Sequence, residues 1–163
     1  MARNNNIASA LQGMSEAQAR RVLQEEGRKL ERIARSVWRA YLASYTPKEY
    51  ARHLGKPSGV RTGNSERAIK LKQVKRTGIN EFGIELTWEN DLVYHDSVMN
   101  HKKGHAVMLI SSGWTSSRGR NKDVYRFGYY EGFDYLGKVE KTYNAMKHPQ
   151  VYLEIQWSGK YLK

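Results

Sequence analysis

Cysteine is absent from the 163-residue chain, which excludes disulfide scaffolds, thiolate zinc sites and cysteine nucleophiles. No apolar run approaches the roughly 18–20 residues that cross a bilayer. The polar start, Met1-Ala-Arg-Asn-Asn-Asn, leads into no signal-peptide hydrophobic region, so a cytoplasm is the expected compartment and no membrane contact is expected. No glycine-rich loop is followed by the Lys-Ser/Thr pair that would cradle a phosphate. No serine has a nucleophile-elbow context, and RNP-type aromatic motifs are missing. Lys and Arg are missing altogether between residues 81 and 100.

Elsewhere the chain is rich in both. Lys and Arg number 28 against 16 Asp and Glu, for a formal net charge of +12. The charge falls in blocks: residues 46–80 carry a net +7, residues 81–100 a net −5 and residues 101–128 a net +5. A positive block followed directly by a negative one suggests internal pairing, and a basic chain otherwise meets nucleic acid or an acidic protein surface. The length suits a single domain, and 39% hydrophobic residues, with 11 Tyr and 4 Trp, can build a core.

Ser15 with Gln18 three residues later is a capping box that opens a helix. Apolar residues then recur at Ala19, Val22, Leu23, Leu30, Ile33, Ala34, Val37, Trp38, Tyr41 and Leu42, one broad helical face. Glu26 interrupts that face, Gly27 weakens the helix by about 1 kcal/mol and invites a bend, and Pro47 ends it. Thr46-Pro47 starts a second, short helix to about Leu54. Residues 55–65 are loop chemistry, with Ser65 capping one further turn.

Ile69 and Leu71 alternate with Lys70 and Lys72. After a turn at Gly78-Ile79-Asn80, Phe82, Ile84, Leu86 and Trp88 alternate with Gly83, Glu85, Thr87 and Glu89. This period of two predicts a β-hairpin with one buried face and one solvent face, on which Lys70 and Lys72 meet Glu85 and Glu89. Residues 91–95 form a further short strand and residues 106–110 a buried segment. A helix is expected over 131–146 with Leu136, Val139, Tyr143 and Met146 on its inner stripe. After Pro149, Val151, Leu153, Ile155 and Trp157 alternate as a closing strand. The order predicts an α+β fold, with a long N-terminal helix packed on a small antiparallel sheet and a second C-terminal helix. Residues 1–14 are expected as a flexible arm and residues 15–163 as one domain with a long loop at about 111–123.

Two segments are candidates for chemistry or contact. His101 and His105, with Asp96 to orient one of them, are weak metal candidates. Gly104 and the neighbouring Lys102 and Lys103 oppose that reading, and the expectation is no metal, no cofactor and no catalytic residues. The polar loop holding Trp114, Arg118, Arg120 and Lys122 is long for a compact domain, and its tryptophan among flexible polar residues suits a partner anchor.

The layout also resembles a known group. The long helix, the loop with Arg61-Thr62-Gly63, the hairpin, the apolar segment 105–113, the long loop, the aromatic stretch 127–135 and the closing helix and strand together resemble the neck and tail-completion (head–tail joining) proteins of long-tailed bacteriophages. The likeness spans about residues 15–160. It implies a non-enzymatic virion protein of the neck or tail, assembled in the host cytoplasm into a homo-oligomeric ring, a hexamer, around the DNA channel. Implied partners are adjacent head-connector and tail-tube or tail-terminator proteins, with non-specific contact to channel DNA. The implied contact regions are the loop at Trp114, Arg118, Arg120 and Lys122 and the long helix at Arg28, Arg32, Arg35 and Arg39. The alternative function is a basic nucleic-acid-binding module.

Overall fold

The computed structural model describes residues 5–9, 13–44, 64–79, 81–89, 94–96, 103–105, 107, 111, 114–115, 129–130 and 132–155. In chain order the elements are β1 (Asn5–Ser9), α1 (Glu16–Ser44), α2 (Asn64–Arg67), β2 (Ile69–Leu71), β3 (Lys75–Gly78), β4 (Glu81–Trp88), β5 (Tyr94–Asp96), β6 (Lys103–His105), β7 (Trp114–Thr115), β8 (Tyr129–Tyr130), α3 (Tyr135–Asn144) and β9 (Tyr152–Ile155). This is the expected α+β class: α1 packs on β4 and β2, and α3 packs on α1 and reaches β9.

The five-stranded sheet is antiparallel throughout and ordered β2-β4-β1-β9, with β3 sharing the β2 edge of β4. Its interior strand β1 corrects the expectation of a flexible arm over residues 1–14. Asn5–Ser9 pairs with β4 on one side, Ile7 opposite Ile84, and with β9 on the other, Ile7 opposite Leu153. An Asn-rich start has little intrinsic strand preference, and pairing on both edges overrides that local tendency.

The capping box forms as read. The Ser15 N–H donates to Gln18 Oε1 at 2.9 Å and the Gln18 N–H to Ser15 Oγ at 3.3 Å. From there α1 runs 29 residues, or roughly 44 Å at 1.5 Å per residue. It passes Gly27 without a break, and the reason for the glycine lies in the sheet. A Cβ there would stand 2.6 Å from Ile84 Cδ1 and 3.0 Å from Leu71 Cδ1, so the missing side chain lets the helix backbone rest directly on β4 and β2.

The hairpin falls where the alternation placed it, with Ile79 at its tip 92% exposed. Phe82, Ile84, Leu86 and Trp88 are all buried. The opposite face is less open than expected, because Gly83 and Thr87 are buried as well. The expected exchange of charge across the hairpin is also smaller. Lys72 pairs with Glu85 at 3.4 Å, whereas Lys70 stands opposite Thr87 and Glu89 uses its backbone N–H on the Ala68 carbonyl at 2.9 Å.

Two arginines instead close over the hairpin's buried aromatic. Arg20 and Arg76 place their guanidinium carbons 5.1 and 5.7 Å from the Phe82 ring centroid, cation–π contacts that hold α1 to β3 and β4. At the far end of α1 the core is aromatic. The Trp38 and Tyr135 rings meet edge to face at 5.3 Å and the Trp88 and Tyr135 rings at 6.0 Å. Burial raises the Tyr135 phenol well above its ordinary pKa, so it stays protonated and donates to the Ala34 carbonyl at 3.0 Å.

The second helix starts four residues later than expected. Gly132 and Asp134 both have positive φ, 96° and 51°, which no helix continues through. Asp134 then serves as the N-cap, accepting from the Gly137 N–H at 3.3 Å. Ser111 satisfies two further donors, its carbonyl accepting from Asp134 N at 3.1 Å and its Oγ from Leu136 N at 3.1 Å. Leu136, Val139 and Tyr143 are buried as predicted, but Met146 lies beyond the helix and is 50% exposed. Of the closing strand, Val151 is buried, Leu153 and Ile155 are half-buried, and Trp157 lies outside the described residues.

The close approach at Gly27 makes a test. Gly27→Ala gains about 1 kcal/mol of helix propensity but forces a methyl against Ile84, and overpacking costs typically 1–3 kcal/mol. Urea unfolding is expected to show Gly27→Ala as neutral to destabilising by about 2 kcal/mol. In an Ile84→Val background, which lacks the Cδ1 atom but keeps the Cγ2 atom 3.2 Å away, the same substitution is expected to cost less.

Candidate assembly surface

The long helix was expected to present Arg28, Arg32, Arg35 and Arg39 as one contact row. The fold divides that row. Arg35 turns toward the sheet edge: Nη1 donates to the Glu66 carbonyl at 2.7 Å, Nη2 to the Ile69 carbonyl at 2.8 Å and to Glu31 Oε1 at 2.7 Å. Arg39 is held by Glu66, its Nε 2.8 Å from Oε1. Both guanidiniums fasten α1 to α2, and Arg35 also reaches the start of β2, while the Arg39 side chain is paired but stays exposed. Arg28 and Arg32 stay exposed, and neither has an ion-pair partner among the described residues.

The other candidate region lies mostly outside the described residues, as do Arg118, Arg120 and Lys122. Trp114 falls in β7, opposite Tyr130 of β8, so at this residue a paired strand replaces the expected open loop. His101 is likewise outside the described residues. His105 belongs to β6, opposite Tyr94 of β5. No group of three His, Asp or Glu side chains suited to a metal ion occurs among the described residues.

Beside Arg32 an open groove runs between α1 and α3, about 350 Å³ in volume and lined by Lys29, Arg32, Ile33, Val37, Thr142 and Met146. Its floor is apolar, with Val37 half-buried and Met146 half-exposed.

What fixes this floor is a buried carboxylate that sequence reasoning had taken only as an interruption of the apolar face. Glu26 is 4% exposed and stands on the flank of α1 that meets α3. The Tyr143 hydroxyl donates to its Oε2 at 2.9 Å, and the Lys29 ammonium donates to its Oε1. The same ammonium donates to the Met146 carbonyl at 2.9 Å. Lys29 therefore bridges the buried carboxylate and the backbone of the groove's methionine. Burial pushes the Glu26 carboxyl up, but hydrogen bonds from Lys29, Tyr143 and the His148 backbone outweigh it, and the group sits below its ordinary value. Burial and the adjacent carboxylate raise the Tyr143 phenol far above its usual range. The signal available in the sequence was spacing: Glu26 lies on the buried stripe between Leu23 and Leu30, where an unpaired charge is costly, so a partner is required.

Compared with known protein families, curated proteins and solved structures, the chain matches none. No helix among the described residues is long and apolar enough to cross a membrane.

The clamp gives a pH-dependent expectation. Because the folded Glu26 carboxyl lies below its unfolded value of about 4.3, its contribution to stability is complete above that pH and is lost as pH falls through the folded value. Glu26→Gln is expected to lower stability at pH 7 by about 1–3 kcal/mol. Chemical unfolding of both proteins across pH 3–7 should show the gap shrinking in acid. A gap of constant size would contradict the ionised clamp.

Proposed function

We propose that this protein is a non-enzymatic structural component of a tailed-bacteriophage virion, forming a ring at the head–tail interface around the DNA channel. The observation that carries the reading is the outward side of α1. The longest element of the fold keeps Arg28 and Arg32 exposed beside a groove floored by Ile33, Val37 and Met146. Glu26, Tyr135 and Tyr143, three ionisable groups of the interior, are engaged in holding the fold.

The order of elements supports the same reading. A long helix, a hairpin, a second helix opened by aromatic residues and a closing strand follow one another as in the neck and tail-completion proteins that the sequence resembles. A head-to-tail contact between different patches of identical subunits closes into a ring when the rotation permits, and a protein of this kind needs such patches more than it needs a pocket. Adjacent connector and tail proteins would then meet the two rims of the ring, and channel DNA its bore.

Negative-stain images of the purified, concentrated protein are expected to show closed rings with a central hole. Isolated small particles only, both alone and with connector or tail-tube proteins added, would overturn the proposal.

A further inference from the structure

We infer that the groove between α1 and α3 receives the acidic segment 89–96 of a second copy of this chain. The inference rests on the assembly reading above and names the contact that would join neighbouring subunits.

The groove states what it would accept. Its floor of Ile33, Val37 and Met146 calls for apolar side chains, and methionine adapts to the shape of what it receives. Of the cations around it, Lys29 is already bound to Glu26 and the Met146 carbonyl. Arg32 on the rim and Arg28 one turn before it are exposed and unpartnered among the described residues. An occupant complementary to this surface carries adjacent apolar residues flanked by carboxylates.

The chain itself contains such a segment. Glu89-Asn90-Asp91-Leu92-Val93-Tyr94-His95-Asp96 brackets an apolar pair with three carboxylates, inside the 20-residue block that holds no Lys or Arg. Within the hairpin only part of this charge is paired among the described residues, and Asp96 of β5 stands opposite Lys103 of β6. Lys72 takes Glu85, while the exposed Glu89 side chain has no ion pair among the described residues. Glu89 follows β4 on the sheet, where its N–H is held by Ala68. The groove opens on the other flank of α1, away from the side where Gly27 meets Ile84. Glu89 and the groove thus lie on different sides of one subunit, and a contact between them would be of the heterologous kind from which rings and filaments are built.

The absence of cysteine allows a clean test. An affinity-tagged Met146→Cys protein is mixed with an untagged Leu92→Cys protein and oxidised gently. A disulfide forms only where Cα atoms come within about 7 Å. The expected product is the mixed tagged–untagged dimer, well above the yield with Ile79→Cys as the partner. Adding Arg28→Glu and Arg32→Glu to the Met146→Cys protein is expected to lower the mixed product at least about tenfold. Adding Glu89→Lys and Asp91→Lys to the Leu92→Cys protein should restore it. Circular dichroism checks that each variant folds. Ring formation with no mixed product above the control would overturn this contact and leave the ring reading standing. A disulfide confined to a single chain bearing both cysteines would also overturn it, by placing the segment in its own groove. A protein that stays monomeric at every concentration would overturn both.

Discussion

Two consecutive residues of α1, a carboxylate and a glycine, sit where a helix normally buries apolar side chains, and the packing of α1 on the sheet and on α3 runs through them. Gly27 brings the helix backbone onto Ile84 and Leu71. Glu26, on the neighbouring flank of the same turn, binds Tyr143 of α3. One turn of helix thus sets the distance to the sheet and the position of the second helix together. A Cβ at 27 would press on the ends of the Ile84 and Leu71 side chains. Loss of the charge at 26 would leave Lys29 and the Tyr143 hydroxyl without their shared partner, a cost that buried polar groups carry in full.

From that turn the charge of the molecule sorts into two kinds. One kind is engaged within the subunit, on side chains that in part stay exposed. Arg20 and Arg76 flank Phe82, Arg35 and Arg39 fasten α1 to the segment around Glu66, Lys72 answers Glu85, and Lys29 completes the clamp. The other kind faces outward, and on α1 it includes Arg28 and Arg32 beside the groove. Part of the net charge of +12 is thus engaged within the subunit, and on α1 the unpaired Arg32 lies next to the apolar side chains of the groove. Charge beside an apolar floor suits a protein partner better than a nucleic-acid backbone, whose recognition rests on phosphate neutralisation. This is why the assembly proposal is preferred to a nucleic-acid-binding module.

Much of the fold could be read in advance because its signals are local. The Ser15–Gln18 box, the alternation from Phe82 to Trp88 and the stripe Leu136, Val139, Tyr143 each report a short-range geometry that the tertiary structure keeps. What escaped the sequence depends on contacts between distant segments. Strand β1 exists because β4 and β9 offer two free edges, which nothing in Asn5–Ser9 announces. The helix boundary at Tyr135 follows from left-handed backbone at Gly132 and Asp134, anchored by Ser111 from another segment. Met146 continues the helical spacing of the inner stripe, yet the helix has ended before it and its side chain opens to the groove. The candidate site was half legible. The arginine row on α1 was visible as spacing, but which members are paired depends on where Glu66 and the Ile69 carbonyl lie. The partner of Glu26 is 117 residues away in sequence.

The central claim is that the outward surface of this protein serves contacts between copies. Sedimentation velocity on nuclease-treated protein, over a wide range of concentrations and with and without added duplex DNA, addresses it most directly. The account predicts a discrete species several times the 18.9 kDa subunit mass, growing with protein concentration in the absence of DNA. A single 18.9 kDa species at every concentration, shifting only when DNA is added, would contradict it.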